Sequence, residues 1–209
     1  MGYFYECLAE PVGSRSRELN VAQNELQTFQ LSTPLQLMQK FAWGINQLRR
    51  ALESADKASS FFPSVYMAFD CSITAWHMCD WVWGFYSGKV ALPLSTDPKL
   101  VRAEPFKKFQ ARVREQSNCL RICMHIANSN KHFGVDRHPD PSLKTPVEHS
   151  VIPSFTAGST AGSPLAYHAY SLMVIDGVAK HDILDVLSGA FSFWADFINE
   201  PSLMELLDG

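Results

Sequence analysis

The chain has 209 residues, 46% hydrophobic and 19% charged, which is enough apolar material for one domain with a buried core. A formal charge of −3 and a pI near 6.1 exclude broad, charge-driven binding to nucleic acid, which needs clustered Lys and Arg to displace counterions; specific RNA or nucleotide binding stays open. No apolar run reaches the roughly 20 residues of a membrane span, because Asp70, His77 and Asp80 cut the longest one, so a soluble protein without a membrane partner is expected.

Residues 1–31 show no sustained period and read as an irregular segment or a short edge strand. Their start, MGYFYECLAE, lacks the basic and continuously apolar regions of an export signal, so export is not expected and a cytoplasmic location is. Gly2 stands where a myristoylation signal begins, but Glu6 occupies the position that needs Ser or Thr. The five cysteines, Cys7, Cys71, Cys79, Cys119 and Cys123, are odd in number, and four lie within helical patterns, as reduced core thiols do.

Thr33 and Pro34 form an N-cap and N1 pair for a first helix, whose Leu37, Phe41, Ile45, Leu48 and Leu52 recur at helical spacing to about Ala55. Ser64 can cap a second helix that is apolar on nearly every side, hence central, and that Gly88 is placed to end. Pro105 opens a third, amphipathic helix that runs unbroken to Phe133. Its polar stripe of Arg114, Asn118, Arg121, His125, Asn128 and His132 falls within about 60° of His125. Beyond Gly134 the strand-like runs VEHSVIPSF and LAYHAYSLMVI flank AGSTAGSP as a hairpin, with a flexible connection at 157–164 and a further turn at Asp176-Gly177. Asp182 then caps a last helix carrying Ile183, Leu187, Phe191, Trp194 and Ile198 on one face. The predicted architecture is mainly α within a single domain, 1–209. It has three helices over 33–133, a small antiparallel β-hairpin or meander over 147–180 and a fourth main helix over 182–200.

Chemistry gathers on the second and third helices. Asp70, His77 and Asp80 lie within about 80° of one another on the second, and a carboxylate buried in such apolar company needs donors from a neighbour. The third helix supplies them, so the two helices are expected side by side, with His77 or Asp80 within hydrogen-bond reach of the 121–132 stretch. The candidate catalytic residues are His77, Asp80, Arg121, His125 and His132, with Asp70, Asn128 and Lys131 as candidate substrate-binding groups. The structural alternative has the stripe facing water and the second helix's polar groups bonded locally.

A metal-dependent bundle enzyme using His77, Asp80, His125 and His132 is a second alternative. Its order, His77-x-x-Asp80, reverses the Glu-x-x-His of di-iron bundles, so no metal is assigned. No G-x-S-x-G elbow or phosphate-cradling glycine loop is present, and no cofactor is named by any motif.

The stretches ITAWHMCDWVW and CLRICMHIANSNKHF, in their helix order, resemble the HEPN superfamily of helical nucleotide-binding proteins, together with uncharacterised bacterial helical proteins. That resemblance implies a cytoplasmic homodimer interacting with RNA or a nucleotide, within a bacterial defence or toxin-like system. HEPN ribonucleases place an Arg before a His near a helix end with about four to six residues between them. Here Ala127, Ile126 and His125 precede His132 at those positions, and Leu120, Cys119 and Asn118 precede His125. The resemblance therefore implies binding more directly than cleavage. A non-catalytic dimerisation module is the remaining alternative. A homodimer is also expected from Trp76, Trp81, Trp83 and Phe85, which exceed what one bundle seam covers.

Overall fold

The computed structural model describes residues 29–54, 58–86, 106–131, 140–153 and 166–207. Within them Thr33 caps α1 (Pro34–Glu53) through a reciprocal box: Thr33 Oγ1 accepts from the Gln36 amide at 3.3 Å, and Gln36 Oε1 accepts from the Thr33 amide at 3.1 Å. Leu37, Met38, Phe41, Ile45 and Leu48 line its buried face.

Helix α2 (Ala58–Tyr86) begins before the expected Ser64 cap and carries Pro63 inside it; Ser64 is instead a buried residue. The helix is central, burying Ala68, Cys71, Ala75, Met78, Cys79 and Val82. It is not surrounded, however. Phe62, Tyr66, Asp70, Asp80 and Gly84 are exposed along one strip, and His77 is partly buried on the same side.

The expected third helix is two. α3 (Phe106–Gln116) and α4 (Asn118–Lys131) meet at Ser117, whose Oγ accepts from the Leu120 amide at 3.2 Å and so caps the second of them. The last helix, α5 (Ile183–Phe197), is capped by Asp182, which accepts from the Leu184 amide at 2.8 Å. It drives Trp194 into the core, where Nε1 donates to the Ala75 carbonyl of α2 at 2.9 Å. A 3-10 segment, Pro201–Leu207, returns over α1, with Asn46 and Arg49 donating to its last carbonyls.

The β element is an antiparallel meander of β1 (Leu143–Lys144), β2 (Val147–Pro153), β3 (Ala166–Asp176) and β4 (Ala179–Asp182). β1 and β2 pair with β3 in one register, Leu143 opposite Asp176 and Val147 opposite Leu172, so they form one edge strand interrupted at Pro146. Gly177, at φ 61°, opens the two-residue turn into β4 that Asp176-Gly177 predicts. Leu172 and Val174 enter the core, and Tyr170 stacks on Phe61 with centroids 4.9 Å apart. The fold is thus mainly α with a small antiparallel sheet. The 157–164 connection, Cys7, His132 and the 1–28 segment lie outside the described residues.

The rings expected to be left over for a dimer are covered in part within one chain. Trp76 is buried, Trp83 packs against Phe106 and Phe109 of α3 at 5.9 and 5.4 Å, and Trp81 and Phe85 are partly buried. Phe29, Trp43, Phe62 and Tyr66 are the large exposed rings among the described residues.

Two helix crossings depend on glycine. A Cβ on Gly44 would stand 2.9 Å from Cys71 Sγ, and one on Gly189 would stand 2.6 Å from Cys119 Sγ. Gly189→Ala is expected to lower stability by about 1–3 kcal/mol in denaturant unfolding. Adding Cys119→Ala should recover a large part of that loss; strict additivity of the two changes would show that the crossing is not the cause.

Candidate functional site

The polar face of α4 is met by the meander. Arg121 has an acceptor for each of its three nitrogens: Nε donates to Asn118 Oδ1 at 2.9 Å, Nη1 to Asp140 Oδ2 at 2.6 Å, and Nη2 to Asp176 Oδ2. Asn118 Nδ2 adds a donor to the same Asp176 oxygen at 3.2 Å. Asp140 is itself set by a local turn in which the Ser142 amide and hydroxyl donate to its other oxygen. Asp176 stands at the last register position before Gly177. One guanidinium therefore joins a helix, the approach to β1 and the β3–β4 turn.

These contacts set the local protonation. The Ser142 donors and then Arg121 hold the Asp140 carboxyl below its ordinary range, and the Arg121 bond does the same for Asp176. His125 Nε2 lies 3.8 Å from Asp140, beyond a hydrogen bond. Burial lowers its pKa, and Arg121 and Arg114 add to that effect, outweighing the carboxylates, so His125 is mainly neutral at neutral pH.

Beside this cluster a cleft of about 400 Å3 opens between α3 and α4, lined by Arg114, Glu115, Arg121, Met124, His125 and Asn128. Arg114 differs from Arg121. Its Nη1 donates to the Met124 thioether at 3.6 Å, a weak acceptor, and its Nε is sealed from solvent with no acceptor among the described residues.

The structure brings Arg121, His125 and Asn128 together, as the spacing predicts, but pairs them differently. The carboxylates on Arg121 come from the meander, and Asp70 and Asp80 of α2 are exposed rather than buried. α2 and α4 do pack together. Ala68 and Phe69 of α2 share a cleft wall with Ile126 of α4, and Ser72 bonds to the buried Cys123. His132 and the Lys131 side chain fall outside the described residues.

Among the described residues no three of His, Cys, Asp and Glu gather to hold a metal ion, so the set His77, Asp80 and His125 is not assembled there as ligands. Burial pushes the Cys71 thiol up to about 12 and raises Cys79 and Cys123 as well, so none is a ready nucleophile. No described helix is long and apolar enough to cross a membrane.

Sequence reading missed Asp140 and the second role of Asp176. The Asp-Pro-Ser turn and the Asp-Gly hairpin mark both as turn residues, but nothing local announces an ion-pair partner dozens of residues away. No family model matches the chain, and no curated protein or solved structure matches it either.

A carboxyl whose pKa is lowered by folding contributes stability that is complete above its ordinary value and is lost as acid titrates it in the folded state. Arg121→Ala should therefore lower the melting temperature at neutral pH by roughly a few degrees. The gap to the natural chain should shrink towards about pH 3. An equal gap at both pH values in thermal unfolding would remove the clamp from the stability account.

Proposed function

We propose that this chain is a HEPN-like helical protein that binds RNA or a nucleotide in the Arg114–His125–Asn128 cleft without cleaving it. In this reading it is a binding component of a bacterial defence or toxin-like system, acting in the cytoplasm as a homodimer. The observation that carries the reading is the contrast between the two arginines. Arg121 is consumed by Asn118, Asp140 and Asp176, which withdraws it from transition-state chemistry. Arg114, on the wall of the same cleft, has an Nε without an acceptor among the described residues and an Nη1 that meets only the Met124 thioether.

A buried N–H left without an acceptor is costly, and sites that contact ligands keep such costs. A phosphate oxygen is the acceptor a guanidinium suits best. Asn128 and a neutral His125 offer hydrogen bonds to a base or ribose, as single-stranded RNA recognition requires.

Arg114→Gln is expected to weaken binding of single-stranded RNA about tenfold or more, the value of one charge-assisted hydrogen bond. Its melting temperature should stay level or rise, since an unsatisfied group is removed. The natural chain should leave the RNA intact on a denaturing gel, and light scattering should give the mass of a dimer. RNA cleavage that Arg121→Ala abolishes would replace this reading with a ribonuclease; equal RNA affinity of both forms would remove the cleft from it.

A further inference from the structure

The charges around the cleft do not add up to an attractive field for a polyanion. Arg114 and Arg121 supply two positive charges, and Glu115 on the wall, with Asp140 and Asp176 on Arg121, supply three negative ones. His125 adds none at neutral pH, because burial and both arginines lower its pKa. Arg121 is neutralised twice over, which leaves Arg114, among the described residues that line the cleft, as the cation whose Nη1 meets only a weak thioether.

From this balance we infer that the cleft takes a single monoanionic phosphodiester, one per chain, and rejects the di- and triphosphates of free nucleotides. The inference rests on the binding reading above and decides between its two ligands. A phosphodiester carries one negative charge, and Arg114 can meet it by exchanging the weak Met124 thioether on Nη1 for a phosphate oxygen. Each further phosphate would bring charge towards Asp140, Asp176 and Glu115, and the cleft lining among the described residues offers no second free cation to receive it. Specificity then comes from repulsion as much as from attraction. The remaining wall, Asn128, neutral His125 and Met124, is uncharged and suits the sugar and base that flank a chain phosphate.

The test is an NMR titration of the full chain with a short oligouridylate bearing a 5′-hydroxyl end, repeated over a range of salt. A single phosphate contact on a single strand predicts a slope of log K against log salt of about −0.7. ATP at equal concentration should fail to displace the oligonucleotide. Glu115→Gln, at an exposed position, should tighten oligonucleotide binding severalfold at low salt and let ATP begin to compete. Displacement by ATP from the natural chain, or a slope several times steeper, overturns the monoanion inference while leaving the binding reading in place. No chemical-shift change with either ligand removes both.

Discussion

Arg121 holds the two halves of this fold in one arrangement. A guanidinium is planar and presents its donors in fixed directions, so engaging Asn118, Asp140 and Asp176 together fixes the turn at Asp176 and the chain entering β1 against α4. Apart from this clamp, the sheet meets the helices through Leu172, Val174 and the stacking of Tyr170 on Phe61. Apolar contacts of that kind hold surfaces together without fixing direction. The paired charges are partly accessible, with side-chain exposures from 17% to 26%, so the desolvation cost stays moderate while the geometry is retained.

The same pairing divides the labour of the cleft. Because Arg121 draws in both carboxylates, Arg114 has to find its acceptor elsewhere, and His125, caught between two cations and a carboxylate it does not touch, stays mainly neutral. The cleft is therefore polar without being strongly charged, which is compatible with the overall charge of −3. Cys71 and Cys123 are buried in the core, and their raised pKa values follow from that burial.

Much of the helical frame was legible because its signals are local. Thr33-Pro34 and Asp182 cap where their side chains can reach backbone amides, and apolar spacing marks the faces of α1 and α5. The break at Ser117 was not legible, since the apolar period continues across it and a buried serine cap looks like a helical serine. The surroundings of Asp70, His77 and Asp80 were misread for a different reason. Phe62 and Tyr66 share their strip of α2, and aromatic rings on an exposed strip make it look like a second buried face. Of the site, the α4 residues could be found from periodicity, whereas Asp140 and Asp176 reach Arg121 across 19 and 55 residues of sequence, a relation no local pattern encodes.

The long edge strand stores its alignment at one end. Val147 and Val151 share a face with Leu172 and His168, yet they are 49% and 54% exposed, so burial does little to distinguish one pairing from its neighbour there. Near β1 the situation is reversed. Gly177 supplies the turn, Pro146 can accept from Met173 but donate nothing, and Arg121 holds Asp176 to the helix. A slip of one residue would move all three at once. The hairpin thus behaves like a zip fastener, with its starting box at the clamped end and an alignment that the open end copies rather than decides.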